Sequence, residues 1–289
     1  MRFSSLSEFI DKGKDALAKG PVALIFVEDL VEVESTIRYH QLTGFPSIVV
    51  FAPIELELPL SLERDITRVD YPVIDVTDVQ TAVDACNEAA PGVWFYYCYN
   101  AEYLFFPFCE TRNVNELLVF HTEERRDAML TYVIDLYADD LHRYHNAVSL
   151  DHAWLDKSGY YALGRADPEN HNYPKERQLD FFGGLRWRYE EHVPKDKRKI
   201  DRVGLFRAKP GLHLRDDHTF TDEEYNTYAC PWHNNLTAAI ASFRTAKALK
   251  TNAGSTFDIP TFKWHNSVPF EWTSQQLLDL GLMEPGQWF

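Results

Sequence analysis

The run from Gly92 to Phe108, GVWFYYCYNAEYLFFPF, constrains this chain more than any other stretch. Apolar and aromatic residues fill it except at Asn100-Ala101-Glu102, after which it resumes up to Pro107. Aromatic enrichment this dense over a short span reads as a buried strand covered on both faces by helices. A carboxylate just past such a strand, here Glu102, falls at the carboxyl edge of an α/β sheet, where open sheets of this class bind ligands. The plainer alternative is a core strand whose Glu102 turns outward to water.

The preceding residues supply partners for that strand. VALIFV at residues 22–27 reads as a buried strand, followed by Glu28-Asp29 and a helix over about residues 30–43 that Gly44 closes. SIVVF at 47–51 completes a strand–helix–strand unit, which requires parallel strands. YPVIDV at 71–76 reads as a third strand with Asp75 near its end, and a helix follows over about 79–90. Strands alternating with helices in this way predict a doubly wound α/β sheet. Beyond it the pattern predicts a helix over 115–126, a strand over 129–137 and surface loops over 138–180. A glycine turn at Gly183-Gly184, a strand over 200–206 and a helix over 236–250 capped by Asn234 or Asn235 complete the reading. With no Pro/Gly/Ser linker, residues 21–250 are expected to form one domain. An amphipathic helix within 1–20 precedes it, and a C-terminal extension over 251–289 follows.

Composition excludes some functions. A formal charge of −15 argues against a nucleic-acid polymer as partner, because a phosphate backbone needs a basic footprint. The four cysteines show no framework spacing and the N-terminus lacks an apolar signal core. Together with the absence of any long uncharged apolar run, this leads to an expected cytoplasmic location. No Gly-rich dinucleotide fingerprint follows residues 22–27, and no phosphate-cradling P-loop occurs. A G-x-S-x-G elbow is missing too, and HTEERRDA at 121–128 lacks the second histidine of a metalloprotease helix. His213, His218, Cys230 and His233 cluster in sequence, but their spacing fits no zinc signature well.

Taken in order, several segments resemble one family. They are the helix ending Tyr39-His40 before Gly44, the NAEYL segment before Pro107, and Cys109-Glu110-Thr111-Arg112. Asp135-Leu136-Tyr137, Gly183-Gly184-Leu185-Arg186-Trp187-Arg188 and Pro231-Trp232-His233 follow. The collinear series is similar to family 2 nucleotide-sugar-dependent glycosyltransferases with the GT-A fold, in the branch whose central motif reads like DADEFLVYP. The resemblance implies a GT-A-like doubly wound mixed sheet. It also implies transfer of a sugar from a UDP- or GDP-linked donor to a glycan or other hydroxyl acceptor. One departure stands out: aligning Glu102, Leu104 and Pro107 puts Tyr99 and Ala101 where the family has its two metal-binding aspartates. Shifting by one residue offers Asn100 and Glu102 as oxygen ligands for manganese or magnesium.

Candidate site residues follow from both readings. Glu28, Asp29 and Asp75 each follow an expected parallel strand and so are placed near the nucleotide. Glu102 would face the diphosphate or donor sugar with Asn100, and the resemblance makes His233 a third metal or phosphate contact. Arg186, Arg188 and Lys199, after the glycine turn, are the expected phosphate-facing cations. Glu190 and Glu191 are the first candidates for the base that activates the acceptor hydroxyl, with Asp216 or Asp217 second. Loss of both family aspartates motivates the alternative, a degenerate transferase fold used as a binding or scaffold module.

Overall fold

The structure, a computed structural model, describes residues 1–229 and 234–288. In chain order the first strands are β1 (Arg2–Phe3), β2 (Val22–Phe26), β3 (Ser47–Ala52), β4 (Thr67–Asp70), β5 (Trp94–Tyr99) and β6 (Glu102–Phe105). Then come β7 (Ala128–Ala138), β8 (Ala153–Asp156), β9 (Tyr161–Asp167), β10 (Tyr173–Phe182), β11 (Asp201–Arg207), β12 (Ala238–Ser242) and β13 (Ser267–Pro269). The α-helices are α1 (Leu6–Lys12), α2 (Lys14–Leu17), α3 (Val33–Leu42), α4 (Leu60–Glu63), α5 (Val76–Ala89), α6 (Val114–Glu123), α7 (Gly184–Arg188), α8 (Arg244–Thr251) and α9 (Ser274–Asp279). The architecture is mixed α/β, with parallel and antiparallel strands in each of two compact units. Unit 1 holds Met1–Tyr103, Thr111–Met129 and Val203–Asn226, and unit 2 holds Leu104–Glu110, Leu130–Arg202 and the residues from Thr227 onward.

In unit 1 the strand order β1-β4-β3-β2-β5 is parallel throughout, and β11 adds antiparallel to β5. From β1 at the edge the chain crosses to β2, steps back outward through β3 and β4, then returns to place β5 on the other side of β2. Every residue of β2 and β3 is buried, as a sheet covered on both faces requires. Phe9, Val22, Leu24, Phe26, Phe51, Val83, Phe95 and Tyr97 form the core, with Phe26 and Phe51 stacked at 4.9 Å. Burying each such side chain contributes roughly 1.5–3 kcal/mol.

Three local expectations for unit 1 change. The N-terminal helix is two short helices divided at Gly13, where an added Cβ would lie 2.4 Å from the Phe9 ring. The strand expected at 71–76 is instead β4, four residues earlier. Its charge hid it, because Arg68 is buried and held by Glu63 and Asp70, at 2.9 and 3.0 Å, and by the Pro53 carbonyl. Asp75 does not end a strand but opens α5 with a reciprocal capping box, its carboxylate taking the Thr77 amide at 2.7 Å.

Unit 2 departs further. Residues 138–180, expected as loops, contain β8 and the antiparallel β9–β10 pair. The helix expected over 236–250 begins as a strand: β12 pairs parallel with β7, Ala238 opposite Thr131 through Ser242 opposite Asp135. Helix propensity for AAIAS loses to the fit of small side chains in a fully buried slot. Only α8 is helical, with Ala246 and Leu249 packed among Tyr137, Leu185, Ile259 and Phe262. The glycine turn is real. Gly183 and Gly184 have φ of 154° and 62°, and an added Cβ would lie 2.3 Å from the Tyr160 ring or 2.9 Å from Asp135 Oδ2.

Candidate functional site

The order reversal in unit 1 lies between β2 and β5, so the carboxyl edge of these two strands is the topological switch point, where doubly wound sheets bind ligands. Glu28 and Asp29 leave β2 there and Asn100 leaves β5, as the strand pattern led one to expect. What Asn100 does is different from the expectation. It is fully buried, and its Oδ1 accepts the Glu28 amide at 2.9 Å. Its Nδ2 donates to Asp29 Oδ1 and to the Val31 carbonyl, both at 2.9 Å. Its own amide donates to the Phe26 carbonyl at 3.0 Å. Asn100 thus ties down the loop after β2, a task that needs both a donor and an acceptor at one side-chain end.

The rest of the turn is equally committed. Ala101 adopts φ of 60°, and its amide donates to Thr36 Oγ1 at 2.9 Å. Glu102 is fully buried at the start of β6 and accepts the Tyr99 amide on Oε2 at 2.9 Å. A divalent ion needs several oxygen ligands pointing at one point. Asn100 and Glu102, both buried and engaged with main chain, do not fit that requirement. Among the described residues no group of three or more His, Cys, Asp or Glu could hold a metal. The polar surface of the edge is instead Glu28, Asp29 and Glu32, all half-buried, with Glu32 at φ of 56° before α3. Ser35 Oγ joins Glu32 Oε2 at 2.5 Å to Tyr103 Oη at 2.8 Å.

The expected cations and the first-choice bases lie in unit 2, and the cations have structural duties. Arg186 donates to the Lys199 carbonyl at 2.6 Å and to Thr245 Oγ1 at 3.2 Å, beside the buried Asp135 at 3.6 Å. Arg188 spans both oxygens of Asp156 at 3.1 Å, donates to the Phe262 carbonyl at 2.7 Å, and stacks on Trp264 at 4.5 Å. Lys199 pairs with Asp180 at 3.3 Å. Glu190 accepts from Arg198 at 2.9 Å, and Glu191 sits on the same exposed turn, 3.8 Å from His192. Asp217, in unit 1, accepts the Thr219 hydroxyl at 2.6 Å, and Asp216 beside it is exposed. Asp75 is the helix cap described above. His233, like Cys230, lies outside the described residues. His213 pairs with Asp84 at 3.0 Å and His218 with Tyr97 at 3.1 Å, so these two histidines do not converge on a zinc site.

Sequence reasoning missed the polar centre of unit 2. Asp135 stands in the carboxyl half of β7, opposite Ser242, the last residue of the parallel β12. Burial raises its pKa, and Arg186 opposes the shift. Asp156 accepts from Tyr137 at 2.5 Å and from the Trp264 indole at 2.8 Å, besides Arg188. The signal was present as two aspartates, in IDLY and AWLD, at the ends of apolar runs.

Two buried histidines of unit 1 set its response to acid. His40 Nδ1 lies 2.7 Å from the Thr36 carbonyl and His121 Nε2 lies 2.8 Å from the Ala128 carbonyl. Burial outweighs these contacts and pulls each pKa from 6.5 down to about 4. The unfolded chain therefore takes up protons first as pH falls from 6.5 toward 4. Each histidine is expected to remove up to about 3 kcal/mol from unit 1 across that window. Asp201 of unit 2, pushed up to about 6 by burial, works in the opposite sense, because its folded form takes the proton first. Protection factors of the β2 and β5 amides, which divide out the intrinsic pH dependence of exchange, should fall between pH 7 and 4.5, and His121→Gln should flatten the slope. An unchanged slope in that variant contradicts the assignment.

Neither the protein-family models nor the curated proteins contain a match to this chain.

Proposed function

We propose that the chain is a nucleotide-sugar-dependent transferase of the GT-A kind, moving a sugar from a UDP- or GDP-linked donor to a hydroxyl acceptor. The observation that carries this reading is the order reversal between β2 and β5, with Glu28, Asp29 and Glu32 at its carboxyl edge. Carboxylates at such an edge accept hydrogen bonds from the N–H and O–H groups of a nucleoside. The collinear resemblance to family 2 glycosyltransferases supports the same reading. Because Asn100 and Glu102 do not fit a divalent ion, no step is assigned to a metal held by them.

That inward disposition of Asn100 and Glu102 favours one rival, a binding module on a transferase-like fold. Calorimetry with UDP and GDP, in manganese and in EDTA, addresses the first reading. One nucleotide should bind with a Kd below about 1 mM, and EDTA should change the affinity less than about tenfold, or 1.4 kcal/mol. If neither nucleotide binds under either condition, the donor-site reading fails. Binding without any turnover or slow hydrolysis of the nucleotide sugar leaves the module as the function.

A further inference from the structure

The hairpin of unit 2 turns an aromatic face outward. In the β9–β10 pair Phe182 lies opposite Tyr161 and Asp180 opposite Leu163, and opposed residues share one face of a pleated pair. The other face carries Phe181, whose ring packs on Tyr132 at 4.7 Å. On the outward face Tyr161 is 45% and Leu163 56% exposed, although both are large and apolar. The Tyr161 and Phe182 rings stack at 5.3 Å with planes 19° apart, which holds them as a fixed ledge. Trp187, 43% exposed, lies against Gly159 just upstream of Tyr161.

Charge borders this ledge on the same face. Asp180 takes both Arg165 Nε, at 2.8 Å, and Lys199 Nζ, at 3.3 Å, on the single oxygen Oδ1. A carboxylate offers about four acceptor positions, so Asp180 retains capacity for hydroxyl donors. The bridge between Phe182 and Lys199 keeps the cation beside the rings.

We infer that this face binds a carbohydrate, with a pyranose ring laid against Tyr161 and Phe182 and its hydroxyls bonded to Asp180. The apolar side of a sugar ring matches an exposed aromatic ledge, and its vicinal hydroxyls match a carboxylate with spare lone pairs. Size argues against a second copy of the chain. Aromatic side chains bury about 150–250 Å² each, so these half-exposed groups present roughly 300 Å². A stable protein interface takes about 800 Å² from each partner. The inference names the acceptor class for the transferase reading and rests on that reading for transfer, though not for binding.

The test is saturation-transfer NMR on the whole chain with maltohexaose, cellohexaose and chitohexaose as probes, beside Tyr161→Ala, Asp180→Asn and Tyr173→Ala. At least one probe should bind with a Kd near about 1 mM, and Tyr161→Ala should weaken it about tenfold or more. Asp180→Asn should weaken it by a smaller factor. Tyr173→Ala, 65% exposed on the same hairpin beyond its register shift, should leave binding unchanged. Tyr161 is exposed, so its variant should fold, and an unchanged circular dichroism spectrum checks this. Absence of binding by all three probes at about 10 mM overturns the inference. So does equal binding by wild type and Tyr161→Ala, or self-association in sedimentation that disappears with Tyr161→Ala. UDP and GDP binding, measured on the same samples, separates the two proposals: loss of nucleotide binding alone sinks the transferase and leaves the sugar face standing.

Discussion

Replacing Asn100 with aspartate is expected to destabilise unit 1 by about 3–5 kcal/mol at pH 7, although the change is nearly isosteric. The asparagine donates to Asp29 and to the Val31 carbonyl, both at 2.9 Å, from a fully buried position. An ionised aspartate donates to neither. It would set a second carboxylate against Asp29 and leave the Val31 oxygen without its donor. The Glu28 amide alone would still be served. Acid should relieve the defect. The repulsion raises the folded-state pKa of the new aspartate above its unfolded value near 4, so the folded form binds the proton first as pH falls. The difference from wild type should therefore shrink between pH 7 and about 5, against the trend that His40 and His121 impose on both proteins. Urea titration at three pH values measures this. A variant within about 1 kcal/mol of wild type at pH 7 would show that Asn100 is not the tie between β5 and the loop after β2. The same variant bears on metal binding. Manganese that raises the midpoint of Asn100→Asp and not of wild type would show that position 100 can become a ligand once it carries charge.

The second large effect is expected in unit 2. Arg188→Ala should cost about 3–5 kcal/mol, because it strips the buried Asp156 of its charged partner while the carboxylate stays in place. Tyr137 and the Trp264 indole would remain on Asp156 as neutral donors, and these compensate a lone buried charge incompletely. Trp264 would also lose the guanidinium that covers it at 4.5 Å. Removing both charges should do less harm than removing one, so Arg188→Ala combined with Asp156→Asn should recover more than half of the loss. Thermal unfolding of the two single variants and the double variant forms the cycle. Strict additivity would show that Arg188 acts through packing on Trp264 and not through Asp156. Nucleotide affinity of folded Arg188→Ala should match wild type, since its guanidinium is engaged within unit 2.

Residues 22–52 and 92–105 show what the sequence by itself determined. VALIFV, SIVVF and the Trp94–Tyr99 run are apolar without alternation, and only strands covered on both faces bury such runs completely. Gly44 and the helix before it then demand a parallel crossover, and the acidic residues after β2 fall at the sheet's carboxyl edge as a matter of chain direction. Local pattern reaches that far because each of these segments is uniform in character. Tertiary structure decided everything that depends on a partner distant in sequence. Arg68 makes β4 a strand only because Glu63, Asp70 and the Pro53 carbonyl satisfy its charge. AAIAS is a strand because β7 offers five paired positions beside it. Arg186 and Arg188 look like phosphate ligands by composition, yet Asp135 and Asp156, more than thirty residues upstream, claim them. Asn100 and Glu102 look like metal ligands by spacing, but spacing does not say which way a side chain points. The buried amide of Tyr99 has no water to turn to and that of Glu28 little, and an unmet buried donor costs more than a surface site gains, so both side chains turn inward to meet them.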